Sequence, residues 1–150
     1  MASLKTKGDL AELKVAADLI ERGYRIAIPY GEDNDFDLIL MRGEKLERVQ
    51  VKYTESDGKV ITLHCRSHSL TNGRVRQTKY YTAKTVDWMA VYDRTTERCY
   101  YMHAVELGEG HASLLLRLVP TRNGQKAGVR YASDYLSPEV SHPQLIDEAE

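Results

Sequence analysis

The sequence predicts a single α/β or α+β domain in which a leading helix is followed by a mixed β-sheet. Its 150 residues are 42% hydrophobic and 29% charged, which is typical of a globular chain that can bury one core. An amphipathic segment opens the chain, and apolar segments with a period of two residues follow it. We assign the domain to residues 1–136 and expect a flexible tail over 137–150, where prolines precede an acidic end.

Residues 7–22 predict the leading helix. Leu10, Leu13, Ala17 and Ile20 recur at spacings of three and four, so we expect them to form its apolar face, with charged residues on the opposite face. Gly23 follows at the position where a glycine commonly ends a helix.

Alternating apolar residues and turn residues predict the remaining elements. We expect strands over 24–29, 36–41, 46–54, 59–67, 86–93, 97–107 and 112–120, and a short helix over 76–84. A tight turn over 94–97 would join two of these strands as an antiparallel pair, and Asn72-Gly73 predicts another turn. Trp88 is expected to fill the core.

Two features bear on the compartment. No apolar run approaches the roughly 18 residues that span a bilayer, and the first residues contain no signal-peptide core. Cys65 and Cys99 lack the CxxC spacing, which favours two buried thiols over a disulfide. We therefore expect a cytoplasmic protein without a membrane segment.

The charges are unevenly distributed although their formal sum is only −1. Acidic residues are concentrated between Glu32 and Glu47, whereas residues 58–86 and 110–133 contain basic residues and no acidic ones. An acidic centre beside basic surfaces suits an enzyme that uses a metal ion on a polyanion. Ordinary solvated faces would explain the same distribution.

The candidate chemistry centres on the predicted hairpin from Phe36 to Tyr53. Asp37 lies in an otherwise apolar strand, where an unpartnered carboxylate is costly. Gln50 and Lys52 are two residues apart on the next strand and therefore share a face. Pairing of the two strands could bring Asp37 beside both. Asp37 and Gln50 would then offer oxygen atoms to a hard cation such as Mg²⁺, and the main-chain carbonyl of Val51 could complete part of the shell.

Lys52 and Glu12 would complete this candidate site. The Lys52 ammonium could orient or help deprotonate an attacking water, or stabilise charge on a phosphate oxygen; with a metal ion this suits hydrolysis of a phosphodiester. Glu12 could face the sheet and add a second carboxylate. Each residue also has an ordinary explanation, as a solvated helix residue or as the polar face of a strand.

The sequence resembles the PD-(D/E)XK nuclease superfamily, and more narrowly its intron-encoded homing endonucleases, in which glutamine replaces the second acid. The resemblance covers roughly residues 5–136. It is carried by Lys7-Gly8 with Glu12, by Gly23, Tyr24 and Pro29, by FDL, by RVQVK ending at Lys52, and downstream by VDWMAVY, CYYM and YASDY.

This resemblance implies a restriction-endonuclease-like core of order αβββαβ and Mg²⁺-dependent cleavage of double-stranded DNA. It implies Glu12, Asp37, Gln50 and Lys52 as the catalytic set, and a homodimer or homotetramer, since cutting two strands needs two active sites. Gln50 departs from the acid that is usual in the superfamily. A Holliday-junction resolvase on the same fold and a non-catalytic DNA-binding relative remain alternatives.

The polar stretch between His64 and Tyr81, together with the segment that follows it, is the candidate DNA-binding surface. Cationic and polar side chains contact phosphates, and Arg, Asn and Gln read base edges. The residues that we assign to this role are Arg66, His68, Arg74, Arg76, Lys79 and Lys84. A zinc site at His64, Cys65 and His68 is a weaker alternative, because a fourth ligand at a suitable spacing is missing.

Overall fold

The structure is a computed structural model that describes residues 2–31, 34–71, 74–124 and 127–139, with the backbone alone for 68–71 and 74–77. In chain order its elements are helix α1 (Leu4–Glu21) and strands β1 (Arg25–Ala27), β2 (Leu38–Arg42), β3 (Lys45–Thr54), β4 (Val60–His64), β5 (Arg66–Thr71), β6 (Arg74–Tyr80), β7 (Trp88–Asp93), β8 (Arg98–His103) and β9 (Ser113–Arg117). Two short 3-10 helices span Ala104–Leu107 and Ala132–Tyr135.

Five strands form the central sheet, in the order β1-β2-β3-β7-β8. Its neighbours are antiparallel except for β3 and β7, which run parallel. Parallel strands need a long crossover connection, and here it contains β4, β5 and β6. The predicted mixed sheet behind a leading helix is confirmed. The second helix of the αβββαβ order is wrong for the described residues, because strands occupy this crossover.

Helix α1 begins earlier than predicted because Ser3 caps it, its side chain accepting a hydrogen bond from the Thr6 amide at 3.1 Å. The helix also packs through a different face from the predicted one. Its buried residues are Ala11, Val15, Ala16 and Leu19. Two residues of the predicted apolar face, Leu13 and Ile20, are 67% and 56% exposed.

The small side chains explain why this face of α1, and not the predicted one, packs on the sheet. A helix whose contact face carries alanines can approach a sheet closely, so a stripe with less apolar area packs better than the bulkier one. The helix covers one face of the central sheet, where the cluster around Leu38, Val49, Trp88 and Tyr101 is buried. Trp88 is 2% exposed, which confirms its predicted place in the core.

The opposite face of β7 and β8 is covered by a two-stranded ribbon of β4 and β9. Ile61 and Leu63 of β4 pack there against Met89 and Met102 of the sheet. The sheet is therefore buried on both faces along β7, and all six residues of that strand are buried. Both cysteines are free and buried, as predicted.

The predicted strand over 59–67 is two strands, because the chain changes partners at Cys65. The Cys65 amide donates to the Ala112 carbonyl, and its own carbonyl accepts from the Tyr81 amide, both at 3.0 Å. Residue 66 then begins an antiparallel hairpin of β5 with β6, which we call the β5–β6 hairpin. The predicted turn at Asn72-Gly73 lies outside the described residues.

The short helix predicted over 76–84 is wrong. Residues up to Tyr80 belong to β6, and a turn over 83–85 leads into β7. An isolated helix of this length is marginal, whereas the hairpin satisfies the same backbone groups by pairing with β5.

The other strands are confirmed in type but differ in length. The first is reduced to three residues, and the strand predicted over 97–107 ends at His103, where a 3-10 helix begins. Among the described residues, no helix is both long and apolar enough to cross a membrane. Pro138, inside the predicted tail, is buried, and its carbonyl accepts a hydrogen bond from Arg42 at 2.6 Å.

Candidate active site

The centre of the candidate site lies beside the first residue of β2, where the pairing of β2 with β3 ends. Leu38 pairs with Val49, and the Asp37 amide donates to the Val49 carbonyl at 2.8 Å. Continuing this register places Asp37 opposite Gln50. The Asp37 carboxylate is fixed there, because its Oδ2 accepts a hydrogen bond from the Val51 amide at 3.0 Å.

Gln50 is a buried amide on the face of β3 that points away from the helix. Its side chain is 9% exposed in a position between Val49 and Val51, which pack toward α1. Its Nε2 donates to the Val51 carbonyl at 3.3 Å. That carbonyl, which the sequence suggested as a metal ligand, keeps a second lone pair, and Gln50 Oε1 is an acceptor by its chemistry.

Lys52 lies two residues further along the same face and is half-buried. Its Nζ donates to the Arg66 carbonyl at 3.4 Å and stands 5.2 Å from the centre of the Tyr81 ring. Burial lowers the pKa of Lys52, although the negative charge of Asp37 acts in the opposite direction. The ammonium is thus held in place and gives up its proton more readily than a solvated lysine.

The two carboxylates of the site have raised pKa values. Burial raises the pKa of Asp37 against the opposing effects of the Val51 amide and the Lys52 charge. Burial also raises the pKa of Glu12 to about 6, and the negative charge of Asp37 adds to the effect. Glu12 precedes the buried Val15 and Ala16 by three and four residues, so it lies on the side of α1 that faces the sheet.

These donors fit a hard divalent cation. The Asp37 carboxylate, the Gln50 amide oxygen and the Val51 main-chain carbonyl are oxygen ligands of the kind that Mg²⁺ accepts, and Glu12 on the helix side is close enough to interact electrostatically with Asp37. The negative charge that Asp37 adds near Glu12 would be relieved by a cation. Within the described residues, no cluster of three His, Cys, Asp or Glu side chains could hold a metal ion. A metal bound here would therefore depend on Gln50 and the main chain as well as on the two acids.

A neighbouring acid, Glu47, has a structural role. It is 6% exposed and faces the helix side of the sheet, where it accepts from Trp88 Nε1 and Arg42 Nε, both at 2.8 Å. A buried carboxylate satisfied in this way stabilises the start of β3 and does not reach the face that carries Gln50.

The residues predicted to bind DNA fall into three groups. Arg66 and Lys79 lie at the root of the β5–β6 hairpin, and Lys79 is engaged with Asp35, with 2.6 Å between Nζ and Oδ1. His68, Arg74 and Arg76 lie on the two hairpin strands, with side chains outside the described part of the structure. Lys84 is exposed in the turn before β7, and its carbonyl accepts from Arg48 at 2.9 Å.

The sequence did not indicate the contacts that two residues make near the site. Tyr81 contacts Lys52, and Asp35 pairs with Lys79. The only signal was position: Asp35 precedes Asp37 by two residues, and Tyr81 follows a cationic segment. Neither position indicates a partner that lies far away along the chain.

Comparison with known proteins shows the family of this chain. A family model described as PD-(D/E)XK endonuclease matches residues 2–138. The chain belongs to the PD-(D/E)XK endonuclease family. The predicted membership is confirmed, and it indicates nuclease chemistry.

Solved structures support the fold of this PD-(D/E)XK endonuclease. The structure of I-Ssp6803I, a bacterial homing endonuclease, matches with a TM-score of 0.67 and 22% sequence identity, over 89% of this chain and 88% of that chain. At that identity the likeness shows the restriction-endonuclease-like fold alone.

A second structure, that of the Holliday junction resolvase Hjc from the archaeal hyperthermophile Archaeoglobus fulgidus, matches more weakly. Its TM-score is 0.42 and its identity 10%, over 75% of this chain and 84% of that chain. This likeness is too weak to carry an argument. No curated protein matches the chain.

Proposed function

We propose that this PD-(D/E)XK endonuclease is a site-specific enzyme of the homing type that hydrolyses phosphodiester bonds of double-stranded DNA and uses Mg²⁺. The proposal rests on one observation, the placement of Asp37, Gln50 and Lys52 on one face of adjoining strands. The negative charge of Asp37 also raises the pKa of Glu12 in α1. The family membership and the fold shared with a bacterial homing endonuclease support it.

Each residue has a distinct role in this proposal. Asp37 and Gln50 supply side-chain oxygens to the metal, Val51 supplies its carbonyl, and Glu12 adds the second negative charge. When bound, the metal ion lowers the pKa of a water molecule and polarises the phosphate. Lys52 orients the attacking water or takes its proton, and in its charged form stabilises the phosphate oxygens.

The DNA lies, in this proposal, along the β5–β6 hairpin and the adjoining turn. The cations Arg66, His68, Arg74, Arg76, Lys79 and Lys84 would contact the backbone phosphates or base edges. To reach a phosphate, Lys79 must break its ion pair with Asp35. The two side chains are 46% and 36% exposed, so breaking the pair costs little free energy.

We also propose that the protein acts as a homodimer or a homotetramer. One chain carries one Asp37–Lys52 site, whereas a duplex has two strands to cut. Free, buried thiols at Cys65 and Cys99 agree with a cytoplasmic location. Light scattering of the purified protein at assay concentration tests the assembly, and a monomeric mass with full double-strand cleavage would contradict it.

The substrate class is tested by cleavage with and without Mg²⁺. The substrates are supercoiled plasmid, a duplex library with a randomised segment and a four-way junction, and the variants are Asp37→Ala and Lys52→Ala. We expect Mg²⁺-dependent cleavage that selects a defined sequence from the library and that is greatly slowed, with a measurable residual rate, in both variants. Glu44→Gln and Lys45→Met, at the exposed opposite end of the β2–β3 hairpin, serve as matched controls.

Two outcomes would overturn the proposal in different ways. Cleavage confined to the junction would identify a resolvase. Tight binding of DNA without metal-dependent cleavage of any substrate would identify a non-catalytic relative.

A further inference from the structure

The root of the β5–β6 hairpin forms one wall around Lys52. The hairpin begins at Arg66, whose carbonyl accepts the long hydrogen bond from Lys52 Nζ. It ends at Tyr80, and the next residue, Tyr81, presents its ring to the same ammonium at 5.2 Å. Among the residues that the structure describes, both contacts of the Lys52 ammonium thus come from the root of the β5–β6 hairpin, outside the central sheet.

Tyr81 is firmly anchored in that position. Its side chain is 5% exposed and packs in the cluster that contains Cys65 and Val86. Its amide donates to the Cys65 carbonyl at 3.0 Å. The hydroxyl also takes part in a hydrogen bond with the Ser67 side chain. The packing of the ring and the hydrogen bond of the Tyr81 amide fix its position even without the hydroxyl, so the ring stays beside the Lys52 ammonium.

The ring is the stronger of the two constraints on Lys52. A hydrogen bond of 3.4 Å is at the long limit and restrains the ammonium weakly. A cation within about 6 Å of an aromatic centroid is attracted to the ring face, and more strongly where water is excluded. The other ionisable groups that act on Lys52 are Asp37, directly before β2, and Cys65, directly before the hairpin. Neither of them defines the direction of the side chain as a ring face does.

We propose that Tyr81 is a positioning residue of this endonuclease: the face of its ring holds the Lys52 side chain in the orientation required for hydrolysis. The proposal rests on the proposed function for its catalytic part. It depends on the ring and not on the hydroxyl, so Tyr81→Phe should behave like the wild type and Tyr81→Leu should not. Because Tyr81 directly follows β6, the segment that we expect to bind DNA is covalently continuous with this positioning contact.

The contact is tested by NMR of the full chain with lysine labelled at its ε-carbon. Protons above an aromatic ring are shielded, so we expect the Lys52 ε-methylene signal upfield of the other lysines; Lys52→Met assigns it. The upfield position should persist in Tyr81→Phe and be lost in Tyr81→Leu. Tyr30→Leu, which removes a fully exposed tyrosine, should leave it unchanged. If the Lys52 signal of the wild type lies at the ordinary lysine position, the contact with the ring is absent. This result needs no Tyr81 variant.

The catalytic consequence is tested by single-turnover cleavage at saturating DNA with Mg²⁺. We expect Tyr81→Leu to slow cleavage about tenfold while the dissociation constant for DNA changes little, because the ring acts on Lys52 and not on the DNA. In a Lys52→Met background, Tyr81→Leu should cause no further loss, since a residue that acts through Lys52 has nothing left to position.

Three results would overturn the proposal. They are an unchanged rate in a folded Tyr81→Leu, a Tyr81→Phe as slow as Tyr81→Leu, and an additional loss in the Lys52→Met background. Failure of the proposed function looks different: a wild type that cleaves no DNA although the Lys52 signal is shifted leaves the contact intact and removes its catalytic meaning.

Discussion

Burial is the largest cause of the pKa shifts in the candidate site, at Glu12, Asp37 and Lys52. It disfavours the charged form of each group, and therefore raises the pKa of the two acids and lowers that of the lysine. A site of this kind is costly to keep ionised without a cation. The cost has a measurable consequence at Glu12, where the pKa is about 6.

Glu12→Gln is expected to stabilise the metal-free protein at neutral pH. Because the folded-state pKa of Glu12 lies above its ordinary value of 4.5, the folded state binds more protons than the unfolded state between those values. Stability therefore falls as pH rises from about 4.5 to 6. After allowance for solvent screening, we expect the variant to gain about 1 kcal/mol at pH 7.5 and nothing at pH 4. Urea unfolding in EDTA at both values measures this.

Glu21→Gln, at an exposed position of the same helix, is the control and should show no such pH-dependent gain. An equal effect of Glu12→Gln at both pH values would contradict the assignment of a raised pKa to Glu12.

Asp35→Asn is expected to strengthen DNA binding. The substitution releases Lys79 from its ion pair and removes a negative charge beside the proposed DNA surface. An exposed pair is worth up to about 1 kcal/mol, so we expect a two- to fivefold lower dissociation constant. Fluorescence anisotropy with duplex DNA in EDTA measures it, with Glu109→Gln at another exposed position as the control. Unchanged or weaker binding would show that Lys79 does not reach the DNA.

At the scale of elements, periodicity predicted which segments are regular better than it predicted their faces and partners. The pattern predicted helix α1 correctly but predicted the wrong contact face. The face that packs on the sheet is the one with small side chains around Ala11 and Ala16. The segment after Asn72-Gly73 was predicted as a helix because nothing local indicates that it pairs with residues 66–71. Such pairing is a tertiary effect that overrides local propensity.

The turn between β7 and β8 depends on a buried acid whose role the sequence did not indicate. Asp93 is fully buried and accepts from the Ser56 amide at 2.9 Å, the Ser56 hydroxyl at 2.8 Å and the Thr96 hydroxyl at 2.9 Å. Burial acts to raise its pKa, but the hydrogen bonds from Ser56 and Thr96 outweigh burial and lower it.

Asp93→Asn should destabilise the fold by about 2–3 kcal/mol, since buried donors lose a charged acceptor. Urea unfolding at pH 7 measures the loss, with Asp134→Asn at an exposed position as the control. A loss as small as that of the control would mean that these hydrogen bonds contribute little.

At the scale of the whole molecule, the fold brings together residues that lie far apart in the chain. Asp37, Gln50 and Lys52 could be placed together from the sequence, because two adjacent strands and their alternation determine the arrangement. Tyr81 and the Arg66 carbonyl could not, since they reach Lys52 only through the crossover between β3 and β7. Local patterns therefore predict the part of the site on β2 and β3, whereas the contacts around Lys52 depend on the topology of the fold.

Binding of Mg²⁺ should stabilise the folded protein through Asp37. At a ten- to hundredfold excess of free metal over its dissociation constant, the gain is about 1.4–2.7 kcal/mol. We expect thermal unfolding to shift upward with MgCl₂ in the wild type and in Glu44→Gln. Asp37→Ala, compared with its own metal-free transition, should show no shift. A shift of the same size in Asp37→Ala would place the metal elsewhere.

Metal-dependent hydrolysis of DNA by the face that carries Asp37, Gln50 and Lys52 can be tested by a single comparison of two variants. It is the single-turnover cleavage rate of Asp37→Asn against that of Glu44→Gln, at saturating DNA and Mg²⁺. Asp37→Asn preserves the size of the side chain and removes its charge. We predict a loss of about 10²-fold or more for Asp37→Asn, with DNA binding retained, and an unchanged rate for Glu44→Gln. An Asp37→Asn protein that cleaves as fast as the control would show that Asp37 does not take part in hydrolysis.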